Sequence, residues 1–530
     1  MALLLASSLT DQIVRSISDD TFTGIHTLSW FDWAILVPYF TVLLILSIYG
    51  LHRFEVVRMF FKYRKNVPNH APKEFEKLPR VTVQLPLYNE RYVVAQLLDA
   101  ISRLDYPREL LQIQVLDDST DETHQLAESL VAQYNAQGFP IEYVHRTNRY
   151  GFKAGALQAG LATVTGEFIA IFDADFVPQP DFLKRTIHYF TDPKVGVVQT
   201  RWTYQNRSQN LLTEVQAVML DGHFIMEQAA RCGGRLFFNF NGTAGVLRRA
   251  MIDDAGGWQH DTLVEDADLS YRAQLKGWRF VYVPSIECLS ELPVEMRGFQ
   301  MQQSRWAKGL MQAGIKLLPS IMRSNARWRV KLEAFLHLTP NISYPLIIVM
   351  SALLVPAMVV RFYAGWFQMM VVDGPLIIAN FWSLWLFYIL AYREVFPNNW
   401  KRSIFLMPVL SAAGVALTAI NAKTVIEALI GDKGSWTPTP KYSLQGKAAM
   451  RGPAQYRYRA GWLPFVEIAL GIVYIMFGAY AVDTYNFFAL PFLAIFAAGF
   501  FWAAFSVLGS EARALLRFQR ERRLALVSAR

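Results

Sequence analysis

Phe168-Ile169-Ala170-Ile171-Phe172-Asp173-Ala174-Asp175 is the stretch that decides the fold. An apolar run ends in two carboxylates two residues apart, the pattern of a buried strand whose carboxyl end presents hard oxygen ligands. Such ligands suit a Mg²⁺ or Mn²⁺ that also holds a diphosphate. Carboxylates this close repel and are driven towards protonation unless a cation neutralises them, while a structural hydrogen-bonded pair is the competing reading. Asp-x-Asp alone is a weak signal, and its surroundings must carry the argument.

Working outward, Val81 to Leu85 alternates and runs into the turn Pro86-Leu87-Tyr88-Asn89-Glu90. Arg91 to Leu104 has helical spacing, and Ile113 to Leu116 is a second strand ending at Asp117-Asp118-Ser119-Thr120. Asp121 to Tyr134 is helical, Ile141 to Val144 is a third strand, and the helix Lys153 to Thr163 leads into the fourth, Phe168 to Phe172. This alternation predicts a doubly wound, mainly parallel α/β sheet with ligand groups at the carboxyl ends of its strands. Glu90, Asp118 and Asp175 all fall at such ends.

Each motif has a plainer alternative. Asp117 and Asp118 suit a turn and helix cap; with Glu90 on the neighbouring strand end they also suit a nucleobase or ribose. Lys153 opens a helix, where an ammonium and a backbone terminus together favour phosphate, although an exposed lysine explains it too. Glu265 and Asp266 start an amphipathic helix, which the helix dipole alone would favour. The chemical reading makes Asp266 a general base, with Glu265 and Asp268 in support. Gln302-Gln303-Ser304-Arg305-Trp306 has the spacing of an amphipathic surface helix. Its chemical reading gives Arg305 to a departing diphosphate and Trp306 to stacking on an acceptor sugar. Phe237 to Gly245, with Asn241, Gly242 and Thr243, offers amide and hydroxyl groups and close backbone approach to such a sugar.

The chain has 530 residues, 53% hydrophobic and only 18% charged, which points to an integral membrane protein of two or three domains. Its net charge of +9 is concentrated beside apolar runs, which argues for positive-inside topology rather than nucleic-acid binding. Two cysteines, Cys232 and Cys288, imply no disulfide framework and suit core packing in a reducing cytosol.

The first apolar run, residues 33 to 50, is too far from the start for a cleavable signal peptide. Asp11, Asp19 and Asp20 precede it, and Arg53, Arg58, Lys62, Arg64 and Lys65 follow, so the charge rule places residue 53 onward in the cytosol. Residues 1–69 form an N-terminal segment with one span (about 33–51), residues 70–330 a cytosolic domain, and 331–530 a membrane region. Apolar runs there cover Tyr344–Val360, Pro375–Ala391, Ser403–Ile420, Leu463–Val482 and Phe487–Val507. If all of them crossed, the basic linker (Lys423 to Arg459) and the basic tail (Arg513 to Arg523) would both lie outside. Treating 403–430 as interfacial or re-entrant leaves five true spans and returns both segments, including the C-terminus, to the cytosol.

Taken together these residues resemble the processive, membrane-embedded family 2 glycosyltransferases, the cellulose and hyaluronan synthase superfamily. Within it the likeness is to cellulose-synthase-like A mannan and glucomannan synthases. It runs from about Pro79 to Val507 and is carried by Val198-Gln199-Thr200-Arg201-Trp202, Phe238 to Gly245, Val264 to Leu269, Glu291-Leu292-Pro293 and Gln302 to Trp306. Ser304 stands where that group often has His. The resemblance implies a GT-A fold, with Glu90 and Asp118 near the nucleobase, Asp173 and Asp175 at diphosphate and metal, and Asp266 as base. It also implies that Trp436, Thr439 and Lys441, within residues 431–445, belong to a cytosolic gating loop.

The expected function is therefore inverting, metal-dependent transfer of a hexose from GDP-mannose or UDP-glucose to a growing β-linked polysaccharide (mannan, glucomannan or glucan), with translocation across the membrane. Trp366, Trp382, Trp385, Trp462 and Trp502 fit a glycan channel or an interfacial belt. A non-processive enzyme glycosylating diacylglycerol or ceramide would use the same motifs, and an inactive scaffold or transporter is the alternative from another class. A homo-oligomer or an accessory export protein is left open.

Overall fold

A computed structural model describes residues 26–364, 376, 378–434, 461–483 and 487–528. Trp436, Thr439 and Lys441 lie outside the described residues. The chain divides into two units: one of Val56–Thr339 with Glu427–Pro453, the other of Met1–Glu55, Pro340–Ile426 and Ala454–Arg530.

In the first unit, Val-Thr-Val-Gln-Leu-Pro-Leu forms β1 (Val81–Leu87). Val81, Val83, Leu85 and Leu87 join the main hydrophobic core on one face. The opposite face is covered as well, as a parallel sheet requires, so its polar residues must pair. Thr82 Oγ1 donates to Gln112 Oε1 at 2.8 Å and Gln84 Nε2 to Gln114 Oε1 at 3.0 Å, a buried ladder between neighbouring strands. Residues β2 (Leu111–Asp117), β3 (Ile141–His145) and β4 (Phe168–Ile171) complete the parallel half, with β1 between β2 and β4. The helices Val94–Ser102, Thr123–Ala136 and Phe152–Gly160 make the crossovers.

The expected strands are thus all present, but they are half of the sheet. Four more follow: β5 (Val177–Pro178), β6 (Val195–Tyr204), β7 (Gly245–Arg248) and β8 (Arg279–Ser290). The eight-stranded order is β3-β2-β1-β4-β7-β6-β8-β5. Strand β7 runs antiparallel between β4 and β6, and β6 pairs parallel with β8. This is the mixed, mainly parallel sheet of a GT-A-like fold. The helices Glu265–Leu275 and Met296–Arg323 follow β7 and β8 and carry the acidic and Gln-Arg-Trp motifs. Cys288 is buried and Cys232 accepts a bond from the Tyr282 amide at 3.4 Å; neither is disulfide-bonded.

Four helices among the described residues, lying wholly or mainly in the second unit, are long and apolar enough to cross a membrane: Trp30–Asn66, Pro340–Arg361, Leu463–Asp483 and Leu490–Leu516. They mark a membrane protein. The expected span Pro375–Ala391 is described only in part, since residues 375 and 377 lie outside the described residues. Its described part is a π-helical turn, Ile378–Trp382, followed by the helix Ser383–Val395. Two of its polar side chains are bonded: Asn380 Nδ2 donates to Ser47 Oγ at 3.1 Å, and the Ser383 hydroxyl folds back onto the Ala379 carbonyl. The segment 403–430 is two helices, Arg402–Ala416 and Thr418–Leu429, bent by 43° at their junction. That bend suits a broken span or a re-entrant segment. Its first helix packs closely, with Gly499 set where a Cβ would stand 2.5 Å from the Ala412 carbonyl oxygen.

Candidate active site

The carboxyl end of β4 is fixed before any side chain is considered. Phe172 N donates to the Gln84 carbonyl at 3.2 Å, and Phe176 N closes a turn onto the Asp173 carbonyl at 3.0 Å. The Asp173 amide donates to Thr243 Oγ1 at 2.8 Å, and Ala244 N reaches back to the Ile171 carbonyl at 2.9 Å. The turn bearing Asp173 and Asp175 is therefore bolted to the loop Asn241–Ala244. Gly242 in that loop has φ +80°, and a Cβ there would lie 2.9 Å from Asp266 Oδ2, so backbone conformation and space both demand glycine.

Lys153 sits in the first turn of the helix Phe152–Gly160, after Gly151 at φ +75°. Its ammonium donates to Asp173 Oδ1 at 2.5 Å and to the Gly242 carbonyl at 2.9 Å. Burial works to lower its pKa, but Asp173, Glu265 and Asp266 outweigh this and hold it above the usual lysine value. Burial raises Glu265 against the attraction of Lys153. Asp266 is pushed up to about 7, first by burial and then by Glu265, with Lys153 opposing. Burial likewise lowers Arg305, resisted by Glu265, Asp173 and Glu90.

Twelve of the expected residues line one cleft: Glu90, Asp118, Lys153, Asp173, Asp175, Asn241, Gly242, Glu265, Asp266, Gln302, Arg305 and Trp306. Thr243, fully buried, acts behind the cleft through its bond to the Asp173 amide. Gln303 does not line it, and Ser304 Oγ donates to the Met301 carbonyl of its own helix at 3.1 Å. The Asp117 carboxylate turns away, accepting from Ser119 N at 2.9 Å and from Tyr143 OH at 2.6 Å. Asp268, expected to support Asp266, is instead bonded to Arg272 at 2.8 Å and paired with Lys316 at 2.8 Å.

Seven carboxylates (Glu90, Asp118, Asp173, Asp175, Glu265, Asp266 and Glu291) face three cationic side chains (Arg149, Lys153 and Arg305) across the cleft. An anionic diphosphate would add to this excess of negative charge unless a divalent cation came with it. The hard oxygens of Asp173 and Asp175 are the fitting donors for Mg²⁺ or Mn²⁺.

Sequence reading missed several residues. Arg146 grips both oxygens of Asp118, Nε at 2.7 Å and a terminal nitrogen at 2.5 Å, and so fixes that carboxylate on the cleft wall. Arg149 stacks over Tyr88, 3.3 Å from the ring centroid. Two arginines just past β3 were a signal of this kind, at a strand end facing the cleft. His223 gave no such signal. It lies in a π-helical segment, Gly222–Gln228, and its Nε2 meets Asn241 Oδ1 at 2.9 Å while Nδ1 meets Glu227 at 3.2 Å. The Asn241 amide also donates to Gln199 Oε1 at 2.9 Å.

Residues 79–309 match the family model described as glycosyltransferase like family 2. This is a family 2 glycosyltransferase domain. The chain is 42% identical over 280 residues to glucomannan 4-beta-mannosyltransferase 2 of Arabidopsis thaliana, covering 51% of this chain and 52% of that one. It is 45% identical over 251 residues to a probable glucomannan 4-beta-mannosyltransferase 11 of Oryza sativa subsp. japonica, covering 46% and 44%. The chain thus spans about half the length of the curated relatives it matches. Among solved structures, a Pyrobaculum calidifontis mannosyltransferase in complex with GDP-Man and Mn²⁺ is 25% identical, with a TM-score of 0.46, covering 66% of this chain and 98% of its own. The matched residues 79–309 fall within the unit that holds the cleft.

Proposed function

We propose that this protein is an inverting hexosyltransferase that extends a β-mannan or glucomannan chain, with GDP-mannose as the preferred donor over UDP-glucose. The observation that carries the reading is Asp266: a carboxyl pushed up to about 7, on the wall of a cleft that also presents Asp173, Asp175 and Arg305. A base with this pKa is half-ionised near neutrality, where it can take a proton from an acceptor hydroxyl without being too weak to hold it. The names of the two plant relatives support mannose as the sugar and a β-linked polysaccharide as the acceptor.

In this reading Glu90, Asp118 and Arg149 hold the nucleoside end, and Gln302 and Arg305 the diphosphate. Asp173 and Asp175 would hold a Mg²⁺ or Mn²⁺, whose charge offsets that of the diphosphate when bound. Asn241, Gly242 and Trp306 receive the terminal sugar of the acceptor. Asp266 removes the proton from the attacking hydroxyl as its oxygen bonds to the anomeric carbon on the face opposite the leaving diphosphate, which inverts the configuration. Arg305 stabilises the charge that develops on the leaving group. Lys153 holds Asp173 and the Gly242 carbonyl in place and opposes the rise in the pKa of Asp266. The domain and the C-terminus face the cytosol, where nucleotide-sugars are made, and the product crosses through the membrane unit.

The test offers GDP-mannose and UDP-glucose separately to the purified full chain, with Mn²⁺ and then with excess chelator. GDP release accompanied by a large product that a β-mannanase digests, lost on chelation, is the expected result. Release only with added diacylglycerol or ceramide, giving a small organic-soluble product, would replace the polymer with a glycolipid.

A further inference from the structure

The parallel edge of the sheet brings together three groups that take no part in the cleft. Asp117 ends β2 and pairs in register with His145 at the end of β3. His124 lies in the first turn of the helix Thr123–Ala136 that joins those strands. The two imidazoles lie 4.2 Å apart between ring centroids, and their Nδ1 atoms stand 3.7 Å (His124) and 3.6 Å (His145) from Asp117 Oδ2. The carboxylate is fully buried, while the His side chains are about one-third exposed and open to solvent, at 36% and 27%. Tyr143, on the same face of β3 as His145, places its hydroxyl 2.6 Å from both Asp117 Oδ2 and His124 Nδ1.

We infer that Asp117, His124 and His145 form a binding site for a divalent transition metal of the Zn²⁺ class, separate from the Asp173–Asp175 pair. Two nitrogens and a carboxylate oxygen select borderline ions over Mg²⁺, which favours oxygen alone. An ion about 2.1 Å from each donor would see each imidazole and the carboxylate at an angle of about 120°, close to the tetrahedral range. A modest opening of the cluster makes the Tyr143 hydroxyl the fourth donor. The remaining oxygen of Asp117 is already held by the Ser119 amide at 2.9 Å, the outer-sphere bond that orients a carboxylate ligand. Strand β4 and its aspartates are two strands away in the sheet, so the two sites share no donor. Asp118 follows directly, and the Arg146 amide donates to the Asp117 carbonyl at 3.0 Å. A metal here would brace the turn that positions Asp118 and Arg146.

This inference does not depend on the sugar-transfer reading, and its test reads metal directly. The full chain in detergent, stripped with chelator, is titrated with Co²⁺ while its visible ligand-field absorption is followed, and Zn²⁺ is then added. One equivalent of Co²⁺ with intense, nitrogen-ligand bands that Zn²⁺ abolishes is the expected result. The bands should persist in a variant carrying Asp173→Ala and Asp175→Ala. His124→Ala and His145→Ala should each weaken Co²⁺ binding by at least about a hundredfold, since even outer-sphere partners of a metal ligand are worth 10–100-fold. Metal-free Tm of the His variants, compared with the parent, reports whether they fold, and Zn²⁺ should raise Tm in the parent alone. Absence of the bands from the parent chain would overturn the site and leave a hydrogen-bonded Tyr-Asp-His cluster. So would bands that survive both His substitutions, or that vanish with Asp173 and Asp175.

Discussion

Replacing Asp266 by Asn tests the electrostatics and the chemistry of the cleft with one change. An ordinary aspartate titrates at 3.8, whereas Asp266 is held up to about 7 by burial and by Glu265. Between those values the folded state keeps a proton that the unfolded chain has lost. Stability therefore falls as pH rises through that window and levels off above it. The gap corresponds to about 4 kcal/mol at roughly 1.4 kcal/mol per unit. Asp266 keeps one side towards the solvent of the cleft, so about half of that, roughly 2 kcal/mol, is the working figure. The Asn variant has no proton to lose. About 1.2 kcal/mol of that figure falls between pH 5 and pH 8, so the variant's Tm advantage over the parent should grow by about 2–5 °C over that range for a domain of this size. Donor-dependent GDP release should fall by about 10²–10⁴-fold while GDP binding persists. In the parent, turnover should rise with pH through about 7 as the carboxylate forms. A stability difference identical at both pH values would mean an ordinary, ionised aspartate. Retained turnover would remove Asp266 from the role of base.

Two further substitutions probe how that base is surrounded. Gly242→Ala puts a methyl 2.9 Å from Asp266 Oδ2 at a φ of +80° and should cut turnover by about a hundredfold or more, with GDP affinity within about threefold of the parent; a fully active Ala variant would refute the claimed close approach. His223→Ala removes the side chain that holds Asn241 Oδ1 at 2.9 Å and should raise the KM for acceptor oligosaccharide about tenfold with little change in donor KM. Equal effects on both substrates would assign His223 to general stability instead.

Much of the catalytic domain was legible because it is locally encoded. Val81–Leu87, Leu111–Asp117, Ile141–His145 and Phe168–Ile171 each carry their apolar pattern within a few residues, and a carboxylate at the end of such a strand has few places to go. The second half of the sheet was not legible. Strand β6 pairs with β7 and β8, whose residues lie about fifty to ninety positions along the chain, and its register shifts between Val195 and Val197 and again between Thr200 and Arg201. No short pattern announces a pairing of that kind. Within the expected span Pro375–Ala391, hydropathy likewise gives no sign that Asn380 and Ser383 turn their polar groups onto Ser47 and Ala379.

The sequence by itself determined a membrane chain with a parallel α/β domain, the acidic motifs of that domain, and the family they resemble. These follow from periodicity, charge asymmetry and residue chemistry, all of which act over one or two turns of chain. Only the tertiary structure decided which acids share the cleft. It turned Asp117 and Asp268 away from the positions their neighbours Asp118 and Asp266 hold, because adjacent residues at a strand end and residues two apart on a helix point in different directions. It also joined Asp117 to His124 and His145, and His223 to Asn241. Those pairings depend on strand register and on a π-helical turn, which arise when distant segments pack against each other and have no local signature in the chain.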